Sequence, residues 1–165
     1  MPKVTLSRVE IANAVGGIRS LLQCKDNNQQ LNTALIRCKR FLKDEQELYE
    51  ERMKQFQKDS QDNTIRYCKK DTQGKAITTS IDKKDSDGKT IDRMTLYNGL
   101  ARGECPEYDE KMKELGNELR AFQKEVVEVE YYIVKESLLP KTGFGLETDA
   151  IYPLTDMAGK EMKDE

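Results

Sequence analysis

The sequence predicts an α+β protein. Its main element is a long antiparallel, coiled-coil-like pair of helices with a small antiparallel β meander inserted between them. A C-terminal strand and tail follow the second helix. Two stretches predict the helices, because their apolar residues recur at alternating spacings of four and three, over about 29–58 and 106–126. The stretch between them, about 64–97, instead alternates in period two and is rich in β-branched residues, which predicts strands.

The composition limits both the size of the core and the available chemistry. The chain has 165 residues, of which 35% are charged and 36% apolar, so we expect a thin core in one domain over 1–140 and a tail over 141–165. Histidine is absent, which excludes serine–histidine and cysteine–histidine nucleophile pairs and zinc sites built on imidazole. No apolar run approaches the roughly 20 residues of a membrane span, and no secretory signal is recognisable. We therefore expect a cytoplasmic protein without membrane contact.

The first helix is predicted over about 8–24. Ser7 and Glu10 have the spacing of a capping box, and Leu6 and Ile11 flank them as a hydrophobic staple. Gly16-Gly17 falls in the middle of this helix and weakens it by roughly 1 kcal/mol per glycine relative to alanine. Either another backbone packs closely at these glycines or the helix kinks there.

The two long helices have apolar seams that predict self-association. Glu45 and Arg52 interrupt the first seam, whereas the second is a clean repeat that begins after Cys105-Pro106. Together the seams contain more apolar surface than one pair of helices can hide, which predicts a homo-oligomer. The residues expected at its interface are Leu35, Leu42, Tyr49, Met112, Leu115, Leu119 and Phe122.

The inserted region is predicted to be a meander or a pair of hairpins. Its strand-like segments are 64–67, 76–81 and 90–97, and Asp71–Gly74 and Asp87-Gly88 supply the turns. A further strand is predicted over about 126–134, where valine and isoleucine alternate with glutamate.

The four cysteines and the distribution of charge indicate a reducing compartment and a bipolar surface. The cysteine spacings fit neither a zinc knuckle nor a redox motif, so we expect free thiols at Cys24, Cys38, Cys68 and Cys105. Residues 104–165 carry 16 acidic and 8 basic side chains, whereas the rest of the chain is basic. This asymmetry favours pairing between a basic and an acidic helix. The alternative is an acidic surface that competes with nucleic acid for a nucleic-acid-binding protein. Direct nucleic-acid binding is not expected, because no basic stripe is interleaved with aromatic residues.

Two groups of residues are candidates for a functional site. Glu128 and Glu130 lie on one face of a predicted strand, where paired carboxylates do acid–base work or hold a hard metal; a solvated strand face explains them more simply. No catalytic residue, cofactor or metal is therefore expected. The candidate binding surface consists of aromatic residues near the hairpins and the tail, since such residues dominate interface energies. They are Tyr97, Tyr131, Tyr132, Phe144 and Tyr152.

Three short segments resemble small phage-encoded proteins of unknown function. They are the opening Leu6–Ala14 (LSRVEIANA), the Val-Glu-Val-Glu of 127–130 and Leu154-Thr155-Asp156. The resemblance covers about the first 50 residues and 126–157 and leaves 64–97 unmatched. It implies an accessory protein in the host cytoplasm and transfers no catalytic residue to this chain. The helix–hairpin–helix order also resembles prefoldin subunits, from which the strand at 126–134 and the tail depart.

The function expected from these observations is non-enzymatic binding, in which the protein self-associates and sequesters a host protein or a small molecule, for instance as an inhibitor of a host defence system. A structural or assembly role in the virion, such as a tail chaperone, is the alternative. The second alternative is a metal-dependent enzyme that uses the carboxylate pair.

Overall fold

The computed structural model describes residues 1–99 and 103–158 and confirms the α+β class. The helices within these residues are α1 (Arg8–Leu21), α2 (Gln29–Phe41), α3 (Lys43–Tyr67), α4 (Pro106–Lys124) and α5 (Gly145–Ile151). The strands are β1 (Lys3–Ser7), β2 (Thr78–Lys84), β3 (Thr90–Tyr97) and β4 (Val126–Glu130). Strand β1 pairs with β4 and β2 pairs with β3, in two separate antiparallel sheets.

The chain divides into two compact units, where the sequence predicts one domain and a tail. The first unit comprises Met1–Arg52 and Arg120–Glu165, and the second comprises Met53–Leu119. The predicted tail over 141–165 belongs to the first unit, and its last residues, 159–165, lie outside the described part of the chain. Ile151 and Leu154 are fully buried, so this segment supplies core residues.

The core of the first unit is built on the apolar faces of α1 and α2. Their buried positions follow the helical period, which places them along one stripe of each helix. On α1 they include Ile11, Val15, Ile18 and Leu21, and on α2 Leu31, Leu35 and Cys38. Val129 of β4, Val134, Leu139 and the two buried residues of the C-terminal segment complete the same cluster.

Strand β1 is absent from the sequence prediction. It is only five residues long, and its partner β4 lies more than a hundred residues away, with Lys3 opposite Glu130 and Ser7 opposite Val126. The paired register of β4 ends at Glu130, and one further hydrogen bond follows, from the Tyr131 N–H to the Pro2 carbonyl (3.1 Å). The predicted continuation to 134 is an irregular segment with one parallel bridge, from Val134 to Thr155.

Helix α1 begins as predicted. The Ser7 N–H donates to Glu10 Oε2 (2.7 Å), the Glu10 N–H donates to Ser7 Oγ (3.4 Å), and Leu6 and Ile11 are both buried. The hydrogen bonds from Ser7 lower the pKa of the Glu10 carboxyl. At Gly17 a Cβ would lie 3.0 Å from the carbonyl oxygen of Glu147 in α5, so a second backbone does pack against the helix there.

The helix predicted over 29–58 differs from the structure at two places. It is divided at Leu42, where φ is −89° and ψ is 0°, although the Leu42 N–H still donates to the Cys38 carbonyl (3.1 Å). It also continues to Tyr67, so residues 64–67 are helical rather than a strand. The edge-to-face packing of Tyr67 on Tyr108 of α4, with ring centroids 6.3 Å apart, stabilises this extra turn.

The second unit contains the end of α3, most of α4 and the hairpin formed by β2 and β3. Asn63, which is buried, donates a hydrogen bond to the Tyr108 carbonyl (3.4 Å). Of the predicted meander or pair of hairpins, the described residues contain the hairpin β2–β3, since 64–67 belong to α3. In its turn the Gly88 N–H donates to the Asp85 carbonyl (3.1 Å), and Gly88 is left-handed (φ 79°). Asp85 Oδ1 fixes this turn by accepting hydrogen bonds from the backbone N–H groups of Asp87 and Lys89, both at 2.9 Å.

Candidate functional site

The predicted oligomer seam is largely used within the chain itself. Leu35 and Leu42 are fully buried in the core of the first unit, so they are not available to a second copy. Tyr49 stacks on Phe122 with ring centroids 6.2 Å apart and accepts a hydrogen bond from Gln123 (2.9 Å). In the second unit, Leu115 and Leu119 of α4 are buried and Met112 is half-buried. The seam therefore gives no surface for self-association at Leu35 or Leu42.

Glu45, which interrupts the predicted seam, has an ion-pair partner. Arg8 of α1 bonds to Glu45 of α3 (3.2 Å) and to Glu125, and its guanidinium lies over the Phe122 ring at 4.7 Å from the centroid. The Arg8 side chain is only 12% exposed. These contacts join α1, α3 and the end of α4 within the first unit.

The predicted aromatic surface consists mainly of packing residues. Tyr131, Tyr132 and Phe144 are half-buried against the core of the first unit, and the Arg37 guanidinium lies over the Tyr132 ring at 4.9 Å. Tyr152 is half-buried in the short 3-10 turn that follows α5. Tyr97 belongs to the second unit, where it is half-buried at the end of β3.

The carboxylate pair lies on an exposed strand. Glu128 Oε1 accepts a hydrogen bond from Lys3 Nζ at 2.8 Å, and this bond, with the nearby charge of Glu130, raises the pKa of Lys3. The residues that the structure describes contain no group of three or more histidine, cysteine or acidic side chains that could hold a metal. The geometry is that of a cross-strand surface ion pair, which contributes little to stability because solvent screens both charges.

All four cysteines have free thiols in the structure. The Cys38 Sγ–H donates to the Tyr132 carbonyl, and burial raises the pKa of the Cys38 thiol to about 11. Cys68 is also buried, whereas Cys24 and Cys105 are partly exposed.

We expect native protein at pH 8 to react with a thiol reagent at Cys24 and Cys105 only. With a pKa of about 11, only about one Cys38 side chain in a thousand is a thiolate at that pH, and Cys38 and Cys68 are also shielded by burial. Mass spectrometry of timed labelling reactions measures this, with urea-unfolded protein as the control that labels at all four sites. Equal labelling rates for Cys38 and Cys24 in native protein would contradict it.

A cavity that the sequence analysis did not predict lies between α1, α2 and the beginning of α3. Its volume is about 390 Å³, within the usual range for small-ligand sites. Apolar side chains from the first two helices form part of its lining, namely Val15, Leu22 and Ile36. The polar lining residues are Arg19, Lys39, Arg40, Lys43, Gln46, Glu47 and Glu50.

The charges around this cavity are unbalanced. Arg19 pairs with Glu50 (3.4 Å) and Lys43 with Glu47 (3.5 Å). Lys39 and Arg40 have no ion-pair partner among residues 1–99 and 103–158, and both are exposed. The arrangement leaves two cations beside an apolar surface.

Gln46 gives the cavity an unsatisfied acceptor. Its Nε2 donates to Glu50 at 2.7 Å, so the orientation of the amide is set. Its Oε1 is buried and has no hydrogen-bond partner, which is costly for an amide oxygen away from water. The Gln46 Oε1 therefore lacks a hydrogen-bond donor, which a bound ligand could supply.

A second concave surface, between α1 and α5, has a different character. It is a more open groove of about 590 Å³ beside Gly16 and the highly exposed Leu146, and its charged lining residues are the acids Glu10, Glu147 and Asp149. Glu10 is already engaged by Ser7. We therefore take the cationic cavity between α1, α2 and α3, which is the less open of the two, as the candidate functional site. In the sequence, this cavity is indicated only by the basic run at 37–43. Such a run does not reveal which of its side chains face a cavity or which other helices line it.

Comparison with known proteins adds no further constraint. No model of a known protein family, no curated protein and no solved structure matches this chain. Across the described residues, no helix combines the length and the apolar character needed to cross a bilayer.

Proposed function

We propose that this protein is a non-enzymatic binding protein that holds a small organic anion in the cavity between α1, α2 and α3. The observation that carries the proposal is the combination found there: an apolar surface, two cations without ion-pair partners, and the buried Gln46 oxygen without a donor. Specific ligand sites generally combine an apolar lining with a few convergent polar groups.

The chemistry of the lining favours a nucleoside monophosphate. A phosphate accepts charge-assisted hydrogen bonds from Lys39 and Arg40, and a nucleobase supplies both a flat, weakly polar body and N–H donors. A fatty acid would satisfy the cations and the apolar surface but would leave the Gln46 oxygen without a donor. Because that oxygen is enclosed in the unliganded chain, the base reaches it only when the long side chains at the rim move aside.

The cellular setting of this proposal comes from the resemblance to phage-encoded proteins. An accessory protein of that kind, in the host cytoplasm, would act by sequestering a host nucleotide or a host protein, for instance one that a defence system uses. The alternatives are virion assembly and metal-dependent catalysis. What supports binding over catalysis is that the cavity concentrates cations and an amide, whereas Glu128 is bonded to Lys3 on an exposed sheet.

Calorimetric titration with AMP tests the proposal. We expect AMP to bind, and we expect adenosine and inorganic phosphate each to bind at least about tenfold more weakly, because each supplies only part of the contacts. Octanoate is the comparison anion that lacks a donor. Binding of octanoate but not AMP would overturn the nucleotide assignment, and binding of neither would overturn the site.

Two variants in the cavity lining and one control variant outside it test the location of the site. The Lys39→Gln and Arg40→Gln variants should each weaken AMP binding by about tenfold, since each removes one charge-assisted contact. Lys25→Gln removes the same charge from an exposed position in the same unit that is not part of the cavity lining. An equal effect of all three variants would indicate a general electrostatic effect and contradict the site.

A further inference from the structure

The β2–β3 hairpin has one apolar and one polar face. Directly opposite residues of an antiparallel pair share a face. The pairs Thr79–Leu96, Ile81–Met94 and Lys83–Asp92 lie on the first face of the hairpin, and the pairs between them lie on the second. The first face therefore has an apolar stripe made of Ile81, Met94 and Leu96, which are 44%, 55% and 41% exposed. We call this the hairpin stripe.

The opposite face of the hairpin is polar throughout its central part. It presents Ser80 opposite Thr95 and Asp82 opposite Arg93, and the Arg93 Nε lies 2.8 Å from Asp82 Oδ1. All residues of β2 and all of β3 except Tyr97 are exposed. An isolated two-stranded hairpin is marginally stable in water, and a third strand or a packed apolar face normally stabilises it. The hairpin stripe is the face that such packing would cover.

We propose that the hairpin stripe is covered by the same stripe of a second copy of this chain, in a dimer whose two-fold axis runs parallel to the strands. This axis places β2 of one copy over β3 of the other. Ile81 then faces Met94 of the second copy, and Lys83 faces Asp92 of the second copy. Residues that are cross-strand partners within one hairpin thus become partners between copies, as an isologous interface requires.

Charge complementarity selects this arrangement and this occupant. With the two-fold axis perpendicular to the strands, Lys83 would lie over Thr79 and Asp92 over Leu96, which would leave both charges without partners against a weakly polar or apolar surface. The parallel axis instead gives two intermolecular ion pairs at the end of the stripe near the turn. The hairpin is therefore self-complementary in both its apolar and its charged positions.

The size of the stripe predicts weak, reversible association. Strand β2 has seven residues, which at about 3.3 Å each span roughly 23 Å. Two strands with their side chains are about 10 Å wide, so the face of the hairpin that contains the stripe buries of the order of 250 Å² per copy. This is well below the roughly 1,200 Å² in total that stable complexes bury. We expect a dissociation constant in the high micromolar range, measured by sedimentation equilibrium up to about 1 mM.

Variants on the two faces of β3 separate packing of the stripe from other modes of association. Met94→Asp places a charge on the stripe and should weaken dimerisation at least about tenfold. Thr95→Asp introduces the same side chain on the polar face, one residue away, and should leave it unchanged. Equal weakening by both variants would indicate pairing through the open strand edges and would overturn the proposal, as would a wild-type protein that is monomeric at about 1 mM.

Mixing two charge-reversal variants tests the two-fold axis itself. Lys83→Asp and Asp92→Lys each create facing like charges, so each alone should dimerise at least about tenfold more weakly than the wild type. A mixture of the two should form heterodimers with wild-type affinity, because every ion pair between copies is then restored. The like-charge contacts within each hairpin persist in the mixture, so a purely intramolecular role for these residues predicts no recovery.

The polar face supplies a control with the same net charges. Asp82→Arg and Arg93→Asp change charge in the same two directions at cross-strand partners on the opposite face. Their mixture should associate no more tightly than either variant alone. Equal recovery in this mixture would show that net charge drives association, and it would overturn the proposed interface.

Discussion

Replacing Leu42 by aspartate is expected to unfold the first unit of the chain. Leu42 is fully buried at the junction of α2 and α3, so the substitution removes an apolar side chain from the core and puts a carboxylate there without a partner. Changes of this kind cost more than about 4 kcal/mol, a large part of the stability of a typical domain. Urea denaturation followed by circular dichroism measures the loss.

Leu146→Asp is the matched control for this change. Leu146 is 84% exposed on α5, so the same substitution there should change the free energy of unfolding by less than about 0.5 kcal/mol. A Leu42→Asp protein that unfolds cooperatively within about 1 kcal/mol of the wild type would show that Leu42 is not a core residue.

The Arg8→Ala variant should lose about 3 kcal/mol of stability. Arg8 is 12% exposed and Glu45 28% exposed, so the substitution leaves a partly buried carboxylate without its partner, which is the costly way to break such a pair. It also removes the contact with the Phe122 ring. Arg19→Ala breaks the more exposed pair with Glu50 and should cost no more than about 1 kcal/mol.

A double-mutant cycle separates the ion pair from the packing of Arg8. In the Glu45→Leu background, Arg8→Ala should cost at least about 1 kcal/mol less than in the wild type, because the partly buried carboxylate is absent and only the more exposed Glu125 loses its partner. Identical costs of Arg8→Ala in both backgrounds would assign its effect to packing and to the bond with Glu125, and would contradict a role for the pair with Glu45. Thermal unfolding of the four proteins gives all the terms of the cycle.

Features that depend on neighbouring residues in the sequence could be predicted. The capping box at Ser7 and Glu10 and the turn before Gly88 are formed by side chains that bond to backbone groups within four residues. The glycine pair predicts either a close backbone approach or a kink, and only the structure identifies α5 as the neighbour of Gly17.

Features that depend on distant residues could not be predicted in this way. Glu45 interrupts an apolar seam when the helix is considered alone, and its partner Arg8 lies 37 positions earlier. The candidate ligand site has the same property, because Val15, Ile36 and Gln46 belong to three helices and meet only after these pack. The sequence predicts a solvated strand face for Glu128 and Glu130, but it does not reveal that Lys3, 125 positions earlier, bonds to Glu128.

The pairing of β1 with β4 has a consequence for the order in which this protein folds. Closing the β2–β3 hairpin involves a turn of only a few residues, whereas aligning Lys3 with Glu130 closes a loop of more than a hundred. Loop-closure entropy rises with loop length, and contacts distant in sequence slow folding. During synthesis α1 and α2 also leave the ribosome before β4 and α5, because they precede them in the chain. Their apolar faces stay uncovered until the C-terminal segments are made. We therefore expect completion of the first unit, rather than formation of its helices, to limit the folding rate.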